Sequence, residues 1–281
     1  MTSIIRHIAR FAQNHAIVVD LSGLMLGAIA VHALYVLFID PAANETVLIA
    51  RESGGVPERT LAIILKDLEQ EICIILTFWC IWLWAFRYRL FEDESYLLEL
   101  DFLNLNDLDK EPTEYGEKLL DDIEARLQST ASKFADMRLL SCVQTAITSL
   151  RQNGDFKEAS DTATQACDLH LEVLNSKLSI TKYILWAIPS VGFLGTVRGI
   201  GEALGKAGEA MAGDISGVAS SLGVAFNSTF VALFLSLVLM FISYVLQGRE
   251  ERLVVSYKHF ISSTLIAKLS MMARQKQSDE P

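Results

Sequence analysis

Residues 189–201 read Pro-Ser-Val-Gly-Phe-Leu-Gly-Thr-Val-Arg-Gly-Ile-Gly, and this stretch decides how the whole chain is interpreted. Four small residues of the stretch follow the i, i+3, i+4, i+7 spacing of one helix face, namely Gly192, Gly195, Thr196 and Gly199. Pro189 lies one turn earlier on the same face, where it can kink the helix and free a backbone carbonyl. Faces of this kind let membrane helices pack closely, so the stretch predicts an intramembrane helix with a tightly packed side.

The composition supports a membrane protein. The chain has 281 residues, of which 51% are hydrophobic, and its mean hydropathy is +0.33. The apolar residues form four blocks, at residues 17–39, 72–86, 183–204 and 218–246. Because about 20 helical residues cross a bilayer, the blocks predict four transmembrane helices in an all-α integral membrane protein. With about 22 apolar residues, the first block exceeds the ~7–15 of a signal-peptide core.

The ends of the first two blocks are less sharply marked. Asp40-Pro41 is expected to end the first block, with a polar loop after it. Charged residues precede the second block and leave its limits open: Lys66, Asp67, Glu69 and Glu71.

The placement of Lys and Arg gives an orientation with both termini in the cytoplasm. Basic residues flank all four blocks on the side that this orientation makes cytoplasmic. The predicted organisation is an amphipathic cytoplasmic N-terminus, two spans with an outer loop, a helical cytoplasmic domain, two channel helices, and a cytoplasmic C-terminal helix with its tail. These segments cover residues 1–16, 17–87, 88–180, 181–247 and 248–281.

The cytoplasmic segment is acidic, with about twice as many Asp and Glu as Lys and Arg, and its leucines recur at helical spacing. The net charge of −10 argues against a nucleic-acid partner, because phosphate binding needs a basic face. The four cysteines form no metal-ligand pattern, and no nucleophile–base set or phosphate loop is visible. We therefore expect no catalytic residue, metal site or cofactor, and no enzyme activity.

The fourth block carries a stripe that matches the first motif. Its members recur at helical spacing: Ser221, Ala225, Thr229, Ala232 and Ser236, with Asn227 and Ser228 beside Thr229. Since the third and fourth blocks run antiparallel, Thr196 and Thr229 are predicted to lie at similar depth. On spacing alone, small-residue faces are more typical of helix packing than of an ion path.

Taken together, these two motifs resemble the signature of the MotA/TolQ/ExbB ion-channel family. The resemblance rests on Pro-x-x-Gly-x-x-Gly-Thr-Val-x-Gly in the third block and on Gly-Val-Ala-Phe-Asn-Ser-Thr-Phe-Val-Ala-Leu, residues 223–233, in the fourth. It implies a homopentamer around two copies of a single-span partner of the MotB/TolR/ExbD type. That partner would carry an aspartate in its membrane helix.

The residues fit this division of labour. A proton path normally needs an ionisable carrier, but the central turns of the last two blocks contain no Asp, Glu or His. We therefore expect the carrier to come from the partner, whose helix would face the small residues. Thr196, Thr229 and Ser228 are predicted to line the ion path. Close packing is expected at Pro189, Gly192, Gly195, Gly199 and Ala225.

Two polar residues of the spans keep open interpretations. Arg198 stands where members of the family often have an apolar or aromatic residue, one helical turn before Glu202. The two form either a simple i,i+4 pair or a charge at the outer mouth of the ion path. His32 lies inside the first block, where a hydrogen bond to a neighbouring helix is the favoured interpretation.

The function expected from the sequence is an ion channel subunit in a motor of the bacterial inner membrane, and the ion that we favour is the proton. The alternative is a non-conducting scaffold that assembles through its small-residue faces, and a membrane enzyme is the poorest candidate. The sequence does not choose the process that is powered, or firmly between protons and sodium.

Overall fold

The computed structural model describes residues 16–52, 55, 57–100, 102–103, 105, 116–133, 137–213 and 215–279, and within these ranges every regular element is a helix. Apart from Ala16, the predicted amphipathic N-terminus lies outside the described residues. The helices, numbered in chain order, are α1 (Ala16–Leu34), α2 (Asp40–Glu52), α3 (Leu61–Leu65), α4 (Leu68–Glu99), α5 (Glu117–Lys133), α6 (Arg138–Asn153), α7 (Phe156–Lys177), α8 (Ser179–Gly205), α9 (Ala207–Met211), α10 (Ser216–His259) and α11 (Ala267–Asp279). Two π-helical segments, Tyr35–Ile39 and Phe260–Ile266, join α1 to α2 and α10 to α11.

Four helical runs are long and apolar enough to cross a membrane: Asp20–Ala50, Leu68–Ala85, a window within Phe156–Gly205 and a window within Ser216–Lys276. For the part of the chain that the structure describes, this confirms the predicted all-α architecture with four candidate spans. The protein is therefore a multi-pass membrane protein.

Contacts divide the chain into two compact units. The first, which we call the membrane unit, comprises Met1–Phe86 and Ser179–Tyr244, and the second, the helical unit, comprises Arg87–Leu178 and Val245–Pro281. Helices α4 and α10 contribute residues to both units.

The prediction that Asp40-Pro41 ends the first helix was wrong, because the helical chain continues through it to Glu52. Proline removes one backbone donor and its ring crowds the preceding turn. The π-helical segment Tyr35–Ile39 immediately before it widens that turn, and the Asp40 N–H bonds to the Tyr35 carbonyl five residues earlier. The proline thus lies in the first turn of α2, a helix position that tolerates it well.

The second apolar helix is longer than the predicted block at residues 72–86. It begins at Leu68, so Glu69 and Glu71 lie in its first turn, and it ends at Glu99. Before it, Thr60 caps the short helix α3 by accepting a hydrogen bond from the Ile63 N–H at 3.3 Å. Of the charged residues that made this limit uncertain, Glu69 and Glu71 lie inside the helix, whereas Lys66 and Asp67 separate α3 from α4.

Helix α1 and the first part of α4 pack antiparallel in the membrane unit. The indole of Trp82 covers Gly23 so closely that a Cβ there would collide with the ring, and a Cβ on Gly27 would lie 2.6 Å from Phe78 Cδ1. The Trp79 Nε1–H donates to the Asp20 carbonyl at 2.7 Å. Large rings against glycines bring the two helices together and fix their register.

The helical unit has its own apolar core. Buried side chains of α5, α6, α7 and the later part of α10 meet there, and they include Leu119, Ile147, Ala163, Cys167 and Tyr257. The predicted breaker Asn153-Gly154 forms the turn between α6 and α7. Gly154 ends α6 with a φ of 68°, a left-handed conformation that favours glycine, and Asp155 caps α7 by accepting from the Lys157 N–H at 2.8 Å.

Candidate functional site

The glycine face of α8 packs against α10 of the same chain. A Cβ on Gly192 would collide with Ala232, one on Gly195 would collide with Ser228, and one on Gly199 would lie 2.6 Å from the Ala225 backbone nitrogen. All three glycines are buried. This corrects one expectation: these small residues are covered within the chain, so they do not form a wall for a foreign helix.

The two threonines meet at this interface. The Thr196 and Thr229 hydroxyls share a hydrogen bond. Thr196 Oγ1 lies 3.1 Å from the Ala225 carbonyl oxygen, and Thr229 Oγ1 lies 3.3 Å from the Gly192 carbonyl oxygen. Both side chains are half-buried. Two hydroxyls and two carbonyls thus lie at one level of a membrane helix pair. Such groups can form and break a hydrogen bond with a proton donor.

Pro189 is accommodated inside α8, three residues before the first buried glycine. It does not end the helix, which runs through it to Gly205. The carbonyl of the preceding residue, Ile188, accepts a hydrogen bond from the Cys73 thiol of α4 at 3.6 Å between sulfur and oxygen. Helix α4 therefore packs along the same stretch of α8.

Ser228 is buried and makes two contacts. Its hydroxyl donates to the Val224 carbonyl of its own helix at 2.8 Å, and it accepts from Gln70 Nε2 of α4 at 3.5 Å. Asn227, beside it, is also buried and accepts from Arg59 Nη2 at 3.1 Å. The segment from Arg59 to Gln70 thus contacts the polar residues next to Thr229.

Arg198 has a partner that the sequence interpretation missed. Its Nε and Nη2 donate to the two carboxylate oxygens of Glu69 at 2.7 and 2.8 Å, a bidentate pair. The predicted contact to Glu202 is present at 3.3 Å, and Asp67 lies 3.8 Å away. The sequence does contain a signal for this contact. The second and third spans run antiparallel, so Glu69 before the second block and Arg198 towards the end of the third lie at the same end of their helices.

His32 bonds to a neighbouring helix, the interpretation favoured for it. Its Nδ1 lies 2.8 Å from Glu71 Oε1 of α4. Together with the Arg198–Glu69 pair, this contact shows that α4 brings acidic side chains beside α1 and α8. The carboxylates are absent from the central turns of α8 and α10, but the first turn of α4 supplies them.

The pKa of Asp67, which immediately precedes α4, is changed by its burial and by the charges near it. Burial raises the pKa of Asp67, while the charges of Lys66 and Arg198 lower it and those of Glu69 and Glu202 raise it. Because burial is the largest of these effects, the net direction is upward. Asp67 therefore holds a proton more readily than an exposed aspartate.

Within the described ranges, no three His, Cys, Asp or Glu side chains group closely enough to hold a metal ion. The four cysteines are buried, and none of them forms a disulfide. The polar groups of the membrane unit are therefore hydroxyls, amides, carboxylates and cations arranged between apolar helices.

Such an arrangement of apolar spans around hydroxyls and ion pairs defines a multi-pass membrane protein with a polar helix interface. Residues 127–259 match the model of the MotA/TolQ/ExbB proton channel family. The match covers somewhat less than half of the chain and includes α8 and α10 with both threonines. This segment is therefore similar to the MotA/TolQ/ExbB proton channel family, which is a transport family and not an enzyme class, and the resemblance found in the sequence is confirmed. No curated protein and no solved structure matches the chain significantly.

Proposed function

We propose that this chain is the channel subunit of an ion-driven motor in the bacterial inner membrane. Five copies would surround two copies of a single-span partner of the MotB/TolR/ExbD type, whose membrane aspartate carries the proton. The observation that carries this proposal is the Thr196–Thr229 hydroxyl pair, because it lies between α8 and α10 inside the segment that matches the proton channel family.

In this proposal both termini and the segment 88–180 are cytoplasmic. Thr196, Thr229 and Ser228 serve the ion path, and Pro189, Gly192, Gly195, Gly199 and Ala225 shape the helix pair that holds them. The partner helix would approach the threonine pair from the side that faces away from the α8 glycines, because those glycines are covered by α10. Protonation of the partner aspartate would then drive the mechanical step.

The ion assigned to the path is the proton. The two hydroxyls and two carbonyls at the threonine level are already engaged with one another. A sodium ion needs several free oxygen ligands, whereas a proton passes along existing hydrogen bonds. The geometry therefore favours protons.

The test is proton flux through the purified complex in liposomes that contain a pH-sensitive dye. Thr196→Val and Thr229→Val keep the side-chain shape but remove one hydroxyl each, and we expect flux to fall at least ~10-fold, within the range by which positioned proton-transfer groups contribute. Thr77→Val is the matched control, because its hydroxyl only donates to the Cys73 carbonyl of its own helix at 2.8 Å.

Two outcomes would count against the channel. If both valine variants assemble normally and conduct like the Thr77→Val control, the hydroxyls have no role in conduction. If the wild-type complex passes no ions at all, the tight glycine packing instead supports the alternative, a non-conducting scaffold.

A further inference from the structure

Two buried acceptor atoms near the start of α4 have no hydrogen-bond donor. Gln70 is 0% exposed, and its Nε2 donates to the Ile64 carbonyl at 3.1 Å, yet its Oε1 accepts from no residue that the structure describes. Asp67 Oδ2, three residues earlier in the chain, is also buried and also has no hydrogen-bond donor among the described residues. Buried polar atoms are nearly always paired, so an unpaired amide oxygen beside an unpaired carboxylate oxygen indicates a bound donor.

A third unpaired group comes from the first span. Tyr35 is 2% exposed, and its hydroxyl has no hydrogen-bond partner among the described residues. It lies within electrostatic range of Asp67 and Glu71. The start of α4 and the π-helical segment of the first span thus contribute unpaired polar atoms to the same neighbourhood.

The charges around Asp67 leave its carboxylate incompletely balanced. Arg198 is committed to Glu69 by two short hydrogen bonds and approaches Asp67 Oδ1 only to 3.8 Å, beyond hydrogen-bonding distance. Lys66 is the other cation that stabilises the ionised Asp67 carboxylate, whereas the negative charges of Glu69 and Glu202 repel it. A carboxylate so placed gains from binding a proton or a small cation.

We propose that Asp67, with Gln70 beside it, is a proton-uptake site that this chain itself supplies at the entrance of the ion path. The inference rests on the proposed function and deepens it by naming the group that first receives the proton. Hydronium transfers its proton to the Asp67 carboxylate, giving a neutral carboxyl group and one water molecule. Arg198 is a positioning residue here, since it holds Glu69 by two hydrogen bonds and its positive charge stabilises the ionised form of Asp67.

The site is connected to the threonine pair by short contacts. Gln70 Nε2 reaches Ser228 Oγ at 3.5 Å, and Ser228 precedes Thr229 in α10. Glu69, which pairs with Arg198, also lies against Gly195, next to Thr196. A proton held at Asp67 is therefore separated from the hydroxyl pair by little more than the Gln70 and Ser228 side chains.

The direct test uses the purified full-length chain in nanodiscs, without any partner, and follows the infrared band of protonated carboxyl groups as pH is raised. We expect a band that persists after the exposed carboxylates have ionised, and Asp67→Asn should weaken it, leaving the contribution of Glu250, whose pKa burial also raises. Glu58→Gln, in the exposed segment before α3, is the matched control and should keep the band. A band unchanged in Asp67→Asn, or lost in Glu58→Gln, would overturn the assignment.

The role of Arg198 gives the test a second readout. Removing its charge in Arg198→Gln should raise the midpoint of the Asp67 band by roughly 1 to 3 pH units, because a nearby opposite charge favours the ionised carboxylate by that amount. An unchanged midpoint would contradict the positioning role. A midpoint that sodium chloride lowers and choline chloride does not would overturn the proton assignment and make Asp67 part of a sodium site.

Flux measurements separate this inference from the proposed function. In complexes that conduct, Asp67→Asn should slow proton flux at low proton concentration, while Glu58→Gln should not. Normal flux without the Asp67 band would overturn only the uptake site. An Asp67 band in complexes that never conduct would overturn only the channel function.

Discussion

Among the residues that the structure describes, each unit contains a bidentate Arg–Glu pair, and the two pairs differ in how completely their polar atoms are hydrogen-bonded. In the helical unit, Glu94 is 0% exposed and accepts from Arg138 Nε at 2.9 and 3.0 Å, from the Arg138 backbone N–H at 2.8 Å, and from the Tyr257 hydroxyl. In the membrane unit, the Arg198 side chain is 43% exposed, and Glu69, Asp67 and Glu202 share its guanidinium. The first pair is closed, whereas the second has excess negative charge.

The difference indicates what each pair is for. A buried charge pair stabilises a fold only when its charged groups are well hydrogen-bonded, and both carboxylate oxygens of Glu94 meet that condition. It joins α4, α6 and α10 within the helical unit. The pair around Arg198 leaves neighbouring buried acceptors unpaired, which is typical of a group that exchanges a proton.

The chain carries matched reporters for testing this contrast. Cys142 and Cys167 are buried in the helical unit, and Cys73 and Cys80 are buried in the membrane unit. The rate at which a thiol reagent labels each pair measures the local opening of its own unit. Peptide mass spectrometry after labelling separates the two units in one sample.

The largest effect is expected for Glu94→Ala. Removing one partner of a buried pair leaves Arg138 uncompensated, at a cost of about 3–5 kcal/mol in the free energy of unfolding. Labelling of Cys142 and Cys167 should therefore accelerate more than ~100-fold, and labelling of Cys73 and Cys80 should not. The control is Glu92→Ala, two residues away on the exposed side of the helix. Equal labelling in both variants would show that the buried pair does not stabilise the helical unit.

Much of the fold was predictable because the relevant signals are local. Apolar blocks gave the four spans, and the i, i+3, i+4, i+7 spacing gave the buried face of Gly192, Gly195 and Gly199. That Thr196 and Thr229 lie at the same depth followed from counting residues along two antiparallel helices. Each of these depends on a repeat within one segment, which the sequence displays directly.

What could not be predicted depends on distant residues or on backbone adjustment. Proline usually ends a helix, and only the π-helical segment before Pro41 shows why this helix continues. The sequence offered Glu202, four residues away, as a partner of Arg198 and did not show Glu69, because the contact to Glu69 joins residues 129 positions apart. Periodicity within one segment does not reveal such a pairing, and only the antiparallel order of the spans indicates that the two residues lie at the same end.

A smaller effect is expected for Gly195→Ala in the membrane unit. The added Cβ would collide with Ser228, so α8 and α10 must separate slightly, at about 1–3 kcal/mol for an overpacked site. Labelling of Cys73, which contacts the Ile188 carbonyl of α8, should accelerate about 10- to 100-fold. Gly201→Ala is the control, because nothing lies within 4 Å of a Cβ at that position. A similar rate in the two variants would show that the glycine face does not require close approach.

The smallest effect on stability is expected for Arg198→Gln, and it tests the comparison most directly. A pair with this exposure contributes less than about 1 kcal/mol, so labelling of Cys73 should change less than ~5-fold. Arg138→Gln, the equivalent change in the closed pair, should expose Cys142 nearly as strongly as Glu94→Ala does, because it leaves Glu94 buried and unpaired. If Arg198→Gln opened the membrane unit as strongly, Arg198 and Glu69 would be a structural pair like the other. If the two substitutions instead separate by more than ~10-fold in labelling, the same chemical pair stabilises one unit and remains available for proton exchange in the other.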